Sequence, residues 1–257
     1  MQIIQLFYLY GPKTMRKLLA LFLLILAIPD AQGQSTNDYS QRLYNSYVKD
    51  QLHLWEGIIE EMNQEYMVTQ DKSLLYDLCF TWYGYIGYLM DKEEDKAAKK
   101  GVREAEEKVK ELEEVLNSRH DVLALHGAIL GYRIVLSKFS AIYLGPRTMK
   151  YIKTAFESAD TCFNCNVEMG NRFFYVPKAF GGSKTEAVQY YEKAVELLES
   201  SALKTERNWI YINTVLMLAN AYKETGQNDR ACLLYEQILE YEPGADWIRD
   251  RLYSKCK

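Results

Sequence analysis

Past the first thirty or so residues, apolar side chains return every three or four positions and almost nowhere alternate. Residues 38–66 carry Leu43, Tyr47, Leu54, Trp55, Ile58, Ile59 and Met62 mostly at that spacing. Leu75, Leu78, Trp82, Tyr85 and Leu89 step along the next segment, and Ala105, Val109, Leu112 and Leu116 along a third. A half-buried strand would alternate with period two, whereas recurrence every 3.6 residues marks one face of a helix. These stretches are therefore predicted as amphipathic helices. The other faces of the third are charged, with Glu104–Lys108 and Glu106–Lys110 four apart, a spacing that supports a helix. Residues 91–100, followed by Gly101, form the most charged stretch and are predicted as a solvated turn plus helix start.

Boundaries can be read in the second half as well. Ser118 followed by Asp121 signals a helix start. That helix is predicted to pass Leu123, Leu130, Ile134 and Phe139, to reach Leu144, and to be broken by Gly145-Pro146. Met149, Ile152, Phe156 and Ala159 form the apolar face of the returning helix, and a short helix spans roughly 167–179. Gly181-Gly182-Ser183, with Glu186 at the capping-box position, stops the chain and restarts it. Proline is otherwise rare, with Pro146, Pro177 and Pro243 alone after the first thirty residues. The predicted fold is all-α.

A period emerges from the small–aromatic–closing trios. Ala231, Tyr235 and Ile238 share a four-then-three spacing with Ala187, Tyr191 and Ala194, and with Ile152, Phe156 and Ala159. Leu218, Ala219, Tyr222, Gly226, Ala231, Tyr235 and Pro243 together resemble one tetratricopeptide repeat (TPR) in its family phase. In that family small residues let two antiparallel helices approach, aromatics fill the wedge, and Gly and Pro end the helices. The resemblance covers about 133–245, with repeats at 133–166, 168–201 and 212–245; it is clearest in the last. The middle repeats lack the terminal proline. The junction at 175–182, with Pro177, Phe180, Gly181 and Gly182, looks like one found in some exported bacterial TPR proteins. The resemblance implies a single α-solenoid of antiparallel helix hairpins over 34–257, closed by a capping helix near 246–255 in which Trp247, Ile248 and Leu252 cover the open end of the stack.

The N-terminus reads differently. Met15-Arg16-Lys17 is basic, residues 18–28 are an unbroken apolar run, and Ala31-Gln32-Gly33 offers small residues at a cleavage point. That order is a secretory signal peptide, residues 1–33, with Met1 or Met15 as the start. Its run is too short for a comfortable membrane span. The mature chain is expected outside the cytoplasm, periplasmic or extracellular. Losing Lys13, Arg16, Lys17 and Asp30 with the leader takes the formal net charge from −4 to −6. A mildly acidic surface argues against nucleic acid and anionic membranes as partners.

Export makes disulfides permissible for the five cysteines, and the odd number leaves one thiol over. Cys162 and Cys165 lie between two helices, where they read as a local turn disulfide, as two packed thiols, or as a redox or metal pair. Cys232 and Cys256 stand at nearly equal distances from the turn near Pro243, so an antiparallel hairpin returns them to one level and a disulfide there would pin the closing helix. That leaves Cys79 free. His53, His120 and His126 show no metal-ligand spacing, and no catalytic residue, metal or cofactor is expected.

Tyrosine is over-represented, with 21 in the chain, and Tyr76, Tyr83, Tyr85 and Tyr88 crowd beside Trp82 on one helix. Consecutive helical residues diverge by about 100°, so one buried face cannot hold them all. Trp82 and Tyr85 are therefore candidates for a binding groove. The family resemblance adds the groove positions of each first helix. These are Asn213, Leu216, Asn220 and Lys223 in the last repeat, and Arg172 among those of the repeat before it. Leu216 stands where the family's carboxylate-clamping Lys would be, so a mixed apolar–polar groove is expected. The expected function is a non-enzymatic exported scaffold holding a protein or peptide partner. The alternatives are a self-assembling accessory subunit of a transporter or envelope complex, and a helical enzyme or redox protein using Cys162 and Cys165.

Overall fold

The computed structural model of the chain describes residues 38–205 and 207–256. The expected signal peptide lies outside them. Among the described residues every regular element is a helix.

The first stretch of helical spacing divides in two. Helix α1 (Tyr39–Val48) ends before Asp50, whose φ of 54° is left-handed, and a 3-10 turn (Leu52–Leu54) leads into α2 (Trp55–Thr69). Helix α3 (Lys72–Asp91) starts at Asp71, whose carboxylate accepts the Ser73 amide at 2.8 Å. Helix α4 (Asp95–Val115) buries Ala98, Val102, Ala105, Val109 and Leu112 on one side and turns Lys and Glu outward on the other. It is followed by α5 (His120–Leu136) and α6 (Ala141–Ser158).

The α5–α6 turn falls at 137–140, not at Gly145-Pro146. That corrects the expected break, and the hairpin spans 120–158 rather than 133–166. Pro146 lies inside α6, where it deprives the Ile142 carbonyl of its usual amide. The first turn of α6 is open to solvent, so water can serve that carbonyl. Helix α7 (Phe163–Tyr175) begins at the Cys162–Cys165 turn. Helix α8 (Lys184–Glu199) is capped as expected, with the Ser183 hydroxyl accepting the Glu186 amide at 3.2 Å. A short α9 (Ala202–Thr205), then α10 (Trp209–Glu224), α11 (Asn228–Tyr241) and α12 (Asp246–Arg251) complete the chain, with a last 3-10 turn at Tyr253–Cys256.

Short turns make neighbouring helices antiparallel. The hairpins α3–α4, α5–α6, α7–α8 and α10–α11 stack in order, through α4 on α5, α6 on α7 and α8 on α10. Two of the three repeating trios build the contacts, with Ala187, Tyr191 and Ala194 buried, as are Ala231, Tyr235 and Ile238; in the third only Ile152 is buried, Phe156 is half-buried, and Ala159 falls just past the end of α6. The approach is close. A Cβ on Gly170 of α7 would lie 2.5 Å from the Tyr191 ring, so a larger residue there would push α8 away. Cys232 and Cys256 form a disulfide that ties the last turn to α11, with Cα atoms 5.7 Å apart.

Candidate functional site: a sealed inner face and an open cleft

In a hairpin stack the inner face is lined by the first helix of each pair, here α3, α5, α7 and α10. Much of it is occupied by the chain itself. Helix α1 packs on α10, where the Tyr47 hydroxyl donates to Asn213 at 3.2 Å and Tyr44 donates to Glu242 at 2.9 Å. Arg251, beyond the last repeat, pairs with Asp50. Trp55 and Trp209 meet edge to face with centroids 5.0 Å apart, and Tyr47 touches both, at 6.4 and 5.9 Å. The buried Trp55 indole is satisfied by Ser46 Oγ at 2.7 Å. Gly84 of α3 lets the seam close, since a Cβ there would stand 2.7 Å from Trp55 and 2.8 Å from Trp209. What remains is a cavity of about 10 Å³ between Phe80 and Tyr83 of α3, Asn164 and Val167 of α7, and Trp209 and Asn213 of α10, room for about one water molecule.

The residues expected to form a groove are divided by this arrangement. Asn213 is engaged by Tyr47, and Leu216 is half-buried against the core. Asn220 and Lys223, toward the end of α10, are exposed. Arg172 is half-buried, its guanidinium 4.1 Å from the Phe173 ring centroid and its Nε without a partner. Trp82 packs on Gly101 of α4, about 200° around α3 from Gly84 and the seam. Tyr85 is buried and stacks with Tyr88 at 5.9 Å. Trp82 serves the α3–α4 contact, whereas Tyr85 packs beside Trp82 and Tyr88 of its own helix, so both are taken up by packing.

A more open cleft of about 430 Å³ lies outside the stack between α1 and α2. It is lined by the polar residues Arg42, Asn45, Lys49, Gln51 and Glu61 together with Leu54, Gly57 and Ile58. Arg42 forms a two-pronged pair with Glu61, at 2.5 and 2.9 Å, and this contact holds the Glu61 carboxyl below its ordinary value. Sequence spacing gave no sign of this cleft, because it depends on the break at Asp50.

Titratable groups with unusual environments lie in the core. Glu168 of α7 is 2% exposed, and burial pushes its carboxyl up to about 7. One oxygen accepts from Asn171 at 3.1 Å while the other has no partner. Asn171 also joins Tyr83 at 3.2 Å and Tyr191 at 2.7 Å. His126 is buried with Nδ1 2.6 Å from Glu113; burial lowers its basicity against the pull of that carboxylate. Neither group offers a face to a substrate. Cys162 and Cys165 form a disulfide whose Cα atoms are 5.3 Å apart. The turn is held by Asn166, which donates to the carbonyls of Asp160 and Cys162, and Cys165 packs with Ala124 and Ala155 of the neighbouring hairpin. Among the described residues, no group of three or more His, Cys, Asp or Glu could hold a metal ion. None of the described helices is long and apolar enough to cross a membrane.

Antiparallel hairpins stacked in sequence order, with small and aromatic residues at their contacts and a closing turn at the end, define a helical-repeat protein of the α-solenoid class. Its last hairpin resembles a tetratricopeptide repeat: that family's model matches residues 212–244. Two solved structures share the fold. The HusA haemophore from Porphyromonas gingivalis aligns with a TM-score of 0.56 at 16% identity, over 75% of this chain and 96% of that one. A thermophilic TPR protein of Thermus thermophilus aligns with a TM-score of 0.51 at 18% identity, over 84% and 94%. No curated protein sequence matches the chain.

Proposed function

We propose that this chain is a non-enzymatic, exported scaffold that holds a segment of a partner protein. The observation that carries the reading is the tetratricopeptide repeat at 212–244, whose first helix leaves Asn220 and Lys223 open to solvent beside a seam the chain has already filled. A partner would engage this polar end of α10 together with Arg172, while the cleft between α1 and α2 offers a second place for an extended segment. Crosslinking in intact envelopes followed by affinity capture tests the reading. Asn220→Ala and Arg172→Ala should each weaken the captured complex by about 1–2 kcal/mol without unfolding the chain. Unchanged capture with both replaced would remove α10 as the contact surface.

A second reading is haem carriage, the property named for one structural neighbour. It is favoured by the exposed rings of Phe139, Tyr143, Tyr175 and Phe180, which could flank a flat apolar ligand. A saturable change in the haem absorption spectrum at micromolar protein would replace the scaffold reading. An unchanged spectrum would retain it.

A further inference from the structure

The edge of the stack formed by the α5–α6 and α7–α8 turns gathers five of the ten large apolar side chains left exposed among the described residues. Because α5 and α7 are alternate members of an up-and-down stack, their C-terminal turns lie on the same edge. Phe139 is 90% exposed, Ile142 85% and Tyr143 62%, and on the next turn Tyr175 and Phe180 are also bare. Side chains this exposed project from the surface.

Charge follows the same boundary. Between Asp121 and Glu157 the sequence has no acidic residue and five Lys or Arg: Arg133, Lys138, Arg147, Lys150 and Lys153. Arg133 is tied to Glu106 at 2.9 Å and Lys153 reaches Glu157 at 4.0 Å; Arg147 lies 5.6 Å from the Tyr151 ring centroid and feels Glu106 and Glu113 without a direct ion pair, and Lys150 has no ion pair among the described residues. On α6, Ile142, Tyr143, Arg147 and Lys150 fall within an arc of about 140°, on the side opposite Leu144, Ile152 and Ala155, which are buried. The two cations stand five and eight residues beyond Ile142, about 7–12 Å further along the axis.

We propose that this edge docks on an anionic lipid surface. The order along α6, an apolar tip with a tyrosine and then cations, is the order of depth in a bilayer interface, where apolar side chains enter the acyl boundary and Lys and Arg meet phosphates. A projecting tip needs a pocket in any protein partner, whereas a fluid interface yields to it. The negative net charge of the whole chain, which by itself argues against an anionic membrane, weighs little at this edge because charges more than about 8–10 Å away are screened at physiological salt. The acidic turn at 91–95 borders the same edge and sets a limit on the attraction.

Co-sedimentation of the full chain with phosphatidylcholine vesicles, with and without one-third phosphatidylglycerol, tests the proposal. Residues 18–28 are common to all variants, so the differences between variants report on the edge. The anionic vesicles should bind the chain at least tenfold better than the neutral ones, and 0.5 M salt should remove most of that gain. Phe139→Ser with Ile142→Ser should lower the partition coefficient about tenfold or more. Lys150→Gln should lower it about fivefold, and Glu94→Lys should raise it. Circular dichroism and Tm should stay unchanged in each. Equal binding of wild type and the Phe139/Ile142 variant would overturn the proposal. So would a concentration-dependent dimer that the same variant abolishes, because a second copy would then be the occupant.

Discussion

Two aromatic regions of this protein meet opposite fates. At the inner seam Tyr47, Trp55, Trp209 and Trp247 pack at centroid distances of 5.0–6.4 Å, and on its other side Trp209 borders a cavity of only about 10 Å³. At the outer edge Phe139 and Ile142 are almost fully exposed, and Tyr143 is held through its hydroxyl, which donates to Ser140 Oγ at 3.2 Å. Both are rich in large apolar side chains, so composition does not separate them. What separates them is the backbone. Gly84 lets α3 come close enough to share rings with α2 and α10, whereas the turn at 137–140 buries Ser140 and leaves Phe139 uncovered at the rim.

The comparison can be broken most sharply at the seam. Trp209→Ala should cost about 3–5 kcal/mol in urea denaturation, because it removes a buried indole and opens a cavity against Trp55 and Gly84. A loss below about 1 kcal/mol would show that the N-terminal helices do not depend on the seam. Glu168 gives the next effect. Its carboxyl is raised to about 7 from 4.5, so the folded chain binds the proton more tightly than the unfolded chain. Stability from this group is therefore greatest below pH 4.5, falls as pH rises through 7, and is level beyond, a loss of at most about 3 kcal/mol. Glu168→Gln should flatten that slope in Tm measured against pH; an unchanged slope would locate the titration elsewhere.

Smaller still, Gly84→Ala should cost about 1–3 kcal/mol, because the added methyl meets two indoles that cannot both retreat. The same methyl would be neutral or stabilising if the helices could part. At the rim, Phe139→Ser with Ile142→Ser should change stability by no more than about 0.5 kcal/mol. A larger loss would mean that the rim is packed after all, and the contrast between the two regions would collapse.

Much of the fold is legible in the sequence because its signals are local. Three- and four-residue spacing marks the helices, Ser183 with Glu186 marks a cap, and Ala231, Tyr235 and Ile238 mark a tight hairpin. The α5–α6 turn is not legible in the same way. Gly145-Pro146 looks like a break, but a proline early in a helix strands a carbonyl that water can reach, so tertiary packing prevails over the breaker. The candidate site is less legible still. Trp82 and Asn213 stand at positions consistent with a groove, but Trp82 is taken up by α4, its own hairpin partner, and Asn213 by Tyr47 of α1, 166 residues away. The cationic rim is plain as a run of charge between Asp121 and Glu157; net charge conceals it.

Cys79 lies inside α3, buried, near Lys108 and Glu111 of the facing helix, and burial pushes its thiol up. In an oxidising medium this sets an order of events. If α3 seats on α4 before oxidation, the thiol is withdrawn from exchange both by occlusion and by loss of thiolate. Four cysteines then compete, with only three possible pairings instead of the larger set open to five. The same thiol becomes a clock for the seated helix. A thiol reagent should label it only at the rate at which α3 lifts, and denaturant should bring that rate up to the free-thiol limit.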